Sequence, residues 1–571
     1  MPNANMEISE LVRTLLAKRG LTDADAIETF LNPNYELHTH SPLLLEGMDR
    51  AVARVFAAIR GSERIAIYAD FDCDGIPGAA VLSDFFAKIE YGNVEIYIPH
   101  RDREGYGFHQ EAIKELAERG VTLIITVDVG TAAIDAVRYA KKLGVDVIVT
   151  DHHELSADPV RGDAFNGAGA VAVLNPKIGK YPFRDLCGAA VAFKLVQALL
   201  AEGRKHSAPH FHGIPVGWEK WLLDLVGIAT IADMVPLHGE NRVLAHFGLA
   251  VLRKSPRPGI QALCNRLRLR QGEITEDDVG FSFAPRINAA SRMDNPDLAL
   301  HLLTTRDSNE AERLAANLDQ LNTSRKGIVG RVVREAKRRV RERFNKEERV
   351  VVLGDTEWKP SLLGLACNSI VEDRGGIVCL WGRDAKGNLK GSCRSDGSIS
   401  VVELFSRAGG VFLEFGGHNA AGGFSVAHER VHTLQEDLIR AAEDLWKEEG
   451  NQSEISNSDS RASLSEVTPI LFKEVSCLAP FGIGNLKPVF LVTGATVSAV
   501  RKFGRTNNHI EVMLSCARTG ATARAFDFFK TAESFTHAPQ AGNNVNLLAT
   551  IEKDSYRGGL ALRIIDIVPA S

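Results

Sequence analysis

Three groups of aspartates and histidines in this chain each follow a short apolar run. Asp70, Asp72 and Asp74 come after Arg64-Ile65-Ala66-Ile67-Tyr68-Ala69, Asp128 after Leu123-Ile124-Ile125-Thr126-Val127, and Asp151-His152-His153 after Val145-Asp146-Val147-Ile148-Val149-Thr150. Several carboxylates with imidazoles suit Mn2+, with Mg2+ an alternative. Two such ions, about 3.5–4 Å apart, would polarise a phosphoryl oxygen and lower the pKa of a bridging water. The chemistry implied is hydrolysis of a phosphate ester or anhydride. The spacing of Asp70, Asp72 and Asp74 puts their carboxylates on one face if the backbone is extended. A calcium loop spaces aspartates similarly but needs a Glu at its twelfth position and flanking helices, whereas Pro77 and an apolar helix follow here. Asp233 ends the apolar run Ala229-Thr230-Ile231-Ala232, where a carboxylate is costly unless paired or bound to a cation. No Ser-His-Asp elbow, Walker lysine loop or GxGxxG sequence competes for the chemistry.

The elements that must position these groups alternate. Strand-like runs fall near 64–69, 94–98, 121–128, 145–150 and 170–174, with helical stretches near 77–89, 109–119 and 131–143. Short connections of this kind predict βαβ units and a mainly parallel sheet. In such a sheet ligands bind outside the carboxyl ends of the strands, so the three groups should meet at one edge. Residues 218–235 and 241–253 read as helices. The fold class expected is α/β, with 1–47 a helical lead-in, 48–255 the catalytic domain and 256–345 a helical connector. A second α/β domain follows at 346–450, from Val350-Val351-Val352-Leu353-Gly354 through a loop at Gly416-Gly417-His418-Asn419-Ala420-Ala421-Gly422-Gly423. Residues 451–464 have linker composition. Five short strands within 465–571 suggest a small barrel of the OB type.

At 571 residues and 45% hydrophobic content the chain has ample core for several domains. It lacks a run of about 20 apolar residues, so no membrane span is expected, and its start lacks the basic and apolar regions of a secretory signal. Eight cysteines without CxxC spacing point to a reducing cytoplasm rather than a zinc ribbon or disulfide framework. The net charge of −5 hides an uneven distribution. Eleven basic residues against four glutamates between Ser324 and Arg349 make a helix able to face a polyanion, unless it is a solvated linker helix.

These motifs together resemble the DHH phosphoesterase superfamily, and within it the bacterial single-strand-specific exonucleases. The resemblance runs nearly end to end. It includes Asp70 to Gly75, Thr126-Val127-Asp128, Asp151-His152-His153, Asp233-Met234-Val235-Pro236, Pro285-Arg286-Ile287-Asn288, Gly391-Ser392-Cys393-Arg394, Gly416-Gly417-His418 and Pro480-Phe481-Gly482-Ile483-Gly484-Asn485. It implies that Asp70, Asp72, Asp74, Asp128, His152, His153 and Asp233 hold two Mn2+ or Mg2+ ions, with Asp151 at least orienting them. It implies a 5′→3′ exonuclease on single-stranded DNA, active in recombination and repair. The strand would thread between the DHH domain and the DHH-associated domain, with the OB-fold holding it. Arg286 and His418 would contact the scissile phosphate and Arg101 would lie near the 5′ end, with Asn288, Arg292, Ser392, Arg394, Gly416 and Gly417 also against the strand. A cytoplasmic monomer, with a single-strand-binding protein and a helicase as partners, is the corresponding cellular expectation.

Some positions depart from the family pattern. Lys359 stands after Trp358 where His is usual, Asn368-Ser369 replaces a Ser-Arg pair, and Val129-Gly130-Thr131 replaces Asn-Gly-Ile. All three changes leave the metal ligands intact, while the first two bear on any need for a 5′ phosphate. Two rivals remain open at this point. One is a phosphodiesterase of the same superfamily acting on short oligonucleotides or cyclic dinucleotides. The other is a non-catalytic strand-binding scaffold.

Overall fold

The computed structural model describes residues 8–155, 169–205, 209–345, 347–449, 458–504, 507–554 and 557–570. The chain start read above for a signal, and residues 451–457 of the expected linker, lie outside the described residues. Two compact units form: Met1–Thr39 with Met234–His246 and Glu454–Ser571, and His40–Asp233 with Phe247–Ser453.

In the larger unit the first sheet contains β1 Arg64–Ala69, β2 Val94–Tyr97, β3 Val121–Val127, β4 Asp146–Thr150 and β5 Ala172–Leu174. Their order is β2-β1-β3-β4-β5, parallel throughout. Strands β1 and β3 are buried almost end to end, which is why they read as continuous Val/Ile runs rather than alternating ones. The register aligns Ala69 with Val127 and Val127 with Thr150. Each strand therefore ends one residue before an acid of the cluster, and the ladder continues through them. Asp70 N–H donates to Val127 O at 3.1 Å, Asp128 N–H to Thr150 O at 2.9 Å and Asp151 N–H to Leu174 O at 3.1 Å. Helices Gly75–Lys88 and Gly188–Lys205 press close to these strand ends. A Cβ on Gly78 would come within 2.5 Å of Val127 Cγ1 and 3.0 Å of Ala189 Cα, so only glycine permits that approach. The helix is tied to the connector by Arg257, whose guanidinium lies 2.5 Å from Asp84 and 2.8 Å from Asp224, all three buried.

A second sheet in this unit has the order β6-β7-β8-β10-β9: β6 Val350–Gly354, β7 Ile377–Arg383, β8 Leu389–Ser395, β9 Phe412–His418 and β10 Ala421–Val426. The glycine stretch expected as a loop is instead the β9–β10 hairpin, with Gly417 opposite Gly422 and His418 opposite Ala421. Glycines carry no strand pattern of their own. Packing of Phe412, Phe415 and Phe424 around Phe405, with ring centroids 4.6–5.7 Å from it, holds the pair together. The basic helix is the second half of Ser308–Arg343. Part of its charge is internally met: Arg338 bonds Glu335 and Glu342, and Arg339 bonds Glu335 and Asp355.

The smaller unit is a closed barrel of β12 Phe490–Phe503, β13 His509–Ser515, β14 Thr522–Asp527, β16 Leu560–Pro569 and β15 Asn544–Lys553, which returns to β12. A further strand, β11 Ser460–Ser463, pairs parallel with β12, so this part of the segment read as linker is sheet. Helices Glu10–Lys18 and Ala24–Leu31 bury Leu15, Leu16 and Phe30 in the same core as Phe490, Val512 and Leu547. The lead-in thus completes the barrel core rather than standing apart. All eight cysteines are free thiols. Among the described residues no helix is long and apolar enough to cross a membrane.

Candidate metal centre

Backbone geometry at the sheet edge converts spacing into convergence. After β1 the chain does not stay extended, as the spacing of Asp70, Asp72 and Asp74 suggested. Asp72 Oδ1 accepts from Asp74 N–H at 2.8 Å and Gly75 N–H at 3.2 Å, turning the chain into the next helix. A Cβ on Gly75 would meet Asp70 O at 2.4 Å. The turn sends Asp70 and Asp74 to different neighbours. The ligand atoms of Asp70, Asp72 and Asp128 lie within 4.8 Å of one another, as do those of Asp74, His152 and Asp233, and those of Asp128, His152 and His153. Asp128 and His152 are each shared by two groups.

Asp74 is held by the N-terminus of helix Gly188–Lys205. It accepts from Gly188 N–H at 2.6 Å and Ala189 N–H at 2.8 Å, a favourable place for a carboxylate. Asp128 sits at φ +60°, a conformation Asp tolerates better than most residues. His152 Nε2 lies 3.2 Å from Asp128 Oδ1, 3.6 Å from Asp233 Oδ2 and 3.7 Å from Asp74 Oδ2. Asp151 turns inward instead. It accepts from Thr131 N–H at 2.7 Å and His152 N–H at 2.8 Å, and its Oδ1 is 2.7 Å from His153 Nδ1. Its Oδ2 is committed to the Thr131 backbone and its Oδ1 to the His152 backbone and the His153 ring.

Electrostatics show what the cluster lacks. Burial, then the charge of Asp72, pushes Asp74 up to about 6. Burial, then the neighbouring aspartates, holds Asp70, Asp128 and Asp233 well above the usual carboxylate range. Burial also would raise Asp151, but the His153 hydrogen bond and the two imidazoles outweigh it and hold Asp151 low. Burial, then the charge of His153, depresses His152 to about 3, leaving a neutral ring. Asp70 Oδ1 and Asp128 Oδ1 are buried without a hydrogen-bond partner. Acids forced together, with orphaned oxygens beside a neutral imidazole, fit bound divalent cations of the Mn2+ or Mg2+ kind.

A cavity of about 1490 Å³ opens over the cluster. Arg101, Lys359, Gly416, Gly417 and His418 line it with the acids. The His153 and His418 rings face each other across it, centroids 6.2 Å apart and planes at 20°. Arg101 stacks on Phe71 at 4.2 Å, and its Nε is buried without a hydrogen bond.

The domain description "DHH family, N-terminal domain" matches residues 64–230, "DHHA1 domain" matches 347–444 and "RecJ OB domain" matches 458–566. A "Single-stranded-DNA-specific exonuclease RecJ" of Dickeya dadantii is 30% identical over 507 residues, covering 86% of this chain and 85% of that protein. The chain belongs to the RecJ family. The RecJ of Bacillus subtilis is 37% identical over 512 residues, covering 89% of this chain, which spans 62% of that protein's length. The crystal structure of RecJ from Thermus thermophilus in complex with Mn2+ superposes with a TM-score of 0.78 at 27% identity, covering 99% of this chain and 76% of that one. Its Mg2+ complex gives 0.72 at 26% identity, covering 99% and 75%.

The remaining residues named from the RecJ resemblance are not all at the cavity. Arg286 is engaged elsewhere, 2.8 Å from Asp319 and donating to Ser282 O at 2.8 Å. Asn288 Oδ1 accepts from Cys73 N–H at 3.0 Å and so braces the Asp72–Asp74 turn. Arg292 donates to Ser361 O at 2.7 Å, and Arg394 to Cys393 O at 2.8 Å. Ser392 lies on β8 opposite Gly423. Lys359 is neutralised by Asp102 at 2.8 Å and donates to Arg292 O at 2.8 Å. Asn368 and Ser369 ride on helix Pro360–Arg374 and are not among the residues lining the cavity, though Pro360 and Ser361 at its start are.

Three contributors were not read from the sequence. Tyr106 Oη lies 3.2 Å from His153 Nδ1 and 3.3 Å from Asp128 O. Asn175 Nδ2 donates to Thr131 Oγ1 and to His153 O, each at 3.0 Å. Gly188 gives Asp128 room, since a Cβ there would sit 2.6 Å from Asp128 Cβ. Of these, only Gly188 was legible in principle, as a glycine opening a long helix.

Proposed function

We propose that this chain is a Mn2+- or Mg2+-dependent 5′→3′ exonuclease that degrades single-stranded DNA in recombination and repair. The observation that carries the proposal is the pair of buried oxygens without a hydrogen bond, Asp70 Oδ1 and Asp128 Oδ1, at the floor of a cavity walled by Arg101 and His418. The activity named for the family relatives fits that chemistry.

In this reading Asp70, Asp72, Asp74, Asp128, His152, His153 and Asp233 hold the ions. When bound, the ions supply Lewis-acid polarisation of a phosphoryl oxygen and stabilise charge developing on it. Asp151 fixes the orientation of His153 and the backbone of His152, so the imidazoles are set to hold the ions without reorganising. Gly416 and Gly417 lie on β9, the edge strand of its sheet, leaving one backbone edge free to approach a strand. His418 and Arg101, both lining the cavity, supply hydrogen-bond donors to phosphate oxygens. Asp151, Asn288 and Asn175 act as positioning residues, and Arg286, Arg292, Ser392 and Arg394 back the strand path. The enzyme acts as a cytoplasmic monomer, with a single-strand-binding protein and a helicase as its partners.

The test is digestion of a single strand labelled at either end, with and without a 5′ phosphate, in Mn2+ buffer. Nucleotides should leave the 5′ end first, and Asp128→Ala or His152→Ala should abolish release. Release from the 3′ end first refutes the polarity. Strand binding without any hydrolysis refutes the enzyme.

A further inference from the structure

One motif of the sequence, Pro480-Phe481-Gly482-Ile483-Gly484-Asn485, has no part in the catalytic reading. It forms a closed turn in the smaller unit. Gly482 N–H donates to Asn485 O at 3.0 Å, and Asn485 N–H returns a bond to Gly482 O at 3.1 Å. The Asn485 side chain is buried. Its Nδ2 donates to Leu478 O and Pro480 O, each at 2.8 Å, and its Oδ1 accepts from Arg19 Nε at 3.0 Å. Three separate stretches of the chain build this unit, and all three meet at the turn. Arg19 comes from the first. From the second, buried Arg242 donates to Ala479 O at 3.0 Å and to Phe30 O at 2.8 Å, its guanidinium 3.6 Å over the Phe30 ring.

That second stretch begins at Met234, the residue after the ligand Asp233. Asp233 is the C-cap of helix Leu223–Ala232, and Met234 follows at φ +60°, the left-handed conformation that usually falls to glycine at a helix end. The chain then runs through Val235 and Pro236 to Leu237, whose N–H donates to Ile483 O at 2.6 Å. The fit there is tight. A Cβ on Gly482 would lie 2.8 Å from Leu237 Cδ1, and one on Gly484, at φ +76°, would lie 3.2 Å from Pro236 Cβ. Asp233 depends on such a hold. Asp74 accepts two helix N–H groups, Asp72 caps its own turn, and Asp151 fixes His153. Asp70 and Asp128 sit on backbone bonded into the sheet ladder. Among the described residues no hydrogen bond reaches the Asp233 carboxylate, which lies 3.6 Å from His152 Nε2. It is therefore placed by its backbone, with the helix on one side and the pinned stretch Met234–Leu237 on the other.

We propose that the turn Pro480–Asn485 is a positioning element for the metal centre. By pinning Leu237 it fixes the stretch that follows Asp233, and so the direction from which Asp233 meets the ion it shares with Asp74 and His152. The smaller unit supplies no ligand, yet it governs how well the ions are held. The proposal rests on the functional reading above and adds to it a second role for the C-terminal part of the chain. Contacts that orient a metal ligand without touching the ion carry a large share of metal affinity.

The test is calorimetric titration of the full chain with Mn2+, with tryptophan fluorescence following the larger unit, where every tryptophan lies. Gly482→Ala drives a methyl group at Leu237, and Asn485→Ala removes the side chain that closes the turn. Each should weaken one of two Mn2+ sites about 10- to 100-fold and leave the other in place. The metal-free unfolding of the larger unit should match wild type. Initial rates should fall at limiting Mn2+ and recover as Mn2+ is raised, with KM for the strand unchanged. Val545→Ala, a cut in the barrel core outside the turn, should loosen the barrel and leave both Mn2+ sites as they are. If both turn variants bind Mn2+ as wild type does, or if Val545→Ala weakens binding equally, the positioning role is overturned. If wild type itself binds no Mn2+, the functional reading falls and the positioning role with it.

Discussion

Asp128→Asn should make the metal-free protein more stable while destroying its activity. Asn adopts φ near +60° at least as readily as Asp, and Asp128 Oδ1 has no hydrogen bond to lose, so the substitution changes charge far more than shape. Two unit charges 4.8 Å apart, the outer limit for the ligand atoms of Asp70, Asp72 and Asp128, repel by about 3.5 kcal/mol at an effective dielectric constant near 20. The metal-free cluster relieves this by keeping protons. Asp74 titrates at about 6 against an ordinary 3.8, a difference of about 3 kcal/mol once both states are ionised. The sign follows from proton counts. A folded state that binds more protons than the unfolded one loses stability as pH rises, here from about 4 through about 6 and onward. Wild type without metal should therefore weaken across that window, and Mn2+ should restore it near pH 8 but do little near pH 4. Asp128→Asn should gain about 2–3 kcal/mol over metal-free wild type near pH 8, gain little near pH 4, and lose its response to Mn2+. The five tryptophans (Trp218, Trp221, Trp358, Trp381 and Trp446) all lie in the larger unit. Guanidinium unfolding followed by tryptophan fluorescence thus reports on the unit that carries the cluster. A variant equal to or weaker than metal-free wild type near pH 8, or a wild type indifferent to Mn2+ there, would refute the reasoning.

Asp151→Asn leaves His153 without its charged partner and opposes an amide N–H2 to a backbone donor, so it should cost about 1–3 kcal/mol and lower kcat. Mn2+ affinity should fall about 10- to 100-fold, as for other orienting partners of metal ligands; calorimetric titration and initial rates check both. Arg257→Ala leaves buried Asp224 without a cation and Asp84 with Arg306 alone, both outside the residues lining the cavity. It should destabilise the larger unit by about 3–5 kcal/mol in the same fluorescence assay while leaving the rate per folded molecule unchanged. Gly188→Ala drives a methyl group into Asp128 Cβ at 2.6 Å and Asp74 Oδ2 at 2.9 Å. Activity and Mn2+ affinity should fall together, and an active variant with normal Mn2+ affinity would show that the helix end is not tightly seated.

Much of the architecture was legible because the chemistry and the strand ends coincide. Buried parallel strands must be apolar throughout, so the first acid after β1, β3 and β4 marks where each strand ends and the ligand edge begins. The alternation of strands with helices, and the barrel strands at the C-terminal end, could be read for the same reason. The hairpin β9–β10 could not, since its stability comes from phenylalanines packing on Phe405 rather than from any pattern in its glycines. The strand β11 was hidden in a polar stretch whose only strand signal is its partner β12.

By itself the sequence determined which side chains could bind cations, and that the α/β order would deliver Asp70, Asp128 and Asp151 to one edge. Only the tertiary structure decided how those ligands are divided. A turn capped by Asp72 sends Asp74 towards His152 and Asp233, and keeps Asp70 with Asp128. It also decided that Asp151 orients His153 through a hydrogen bond, and that Arg286 is held by Asp319. The physical reason is that strand periodicity is a local property of the chain, whereas a hydrogen-bond partner is chosen by whatever distant backbone or side chain the fold brings within about 3 Å.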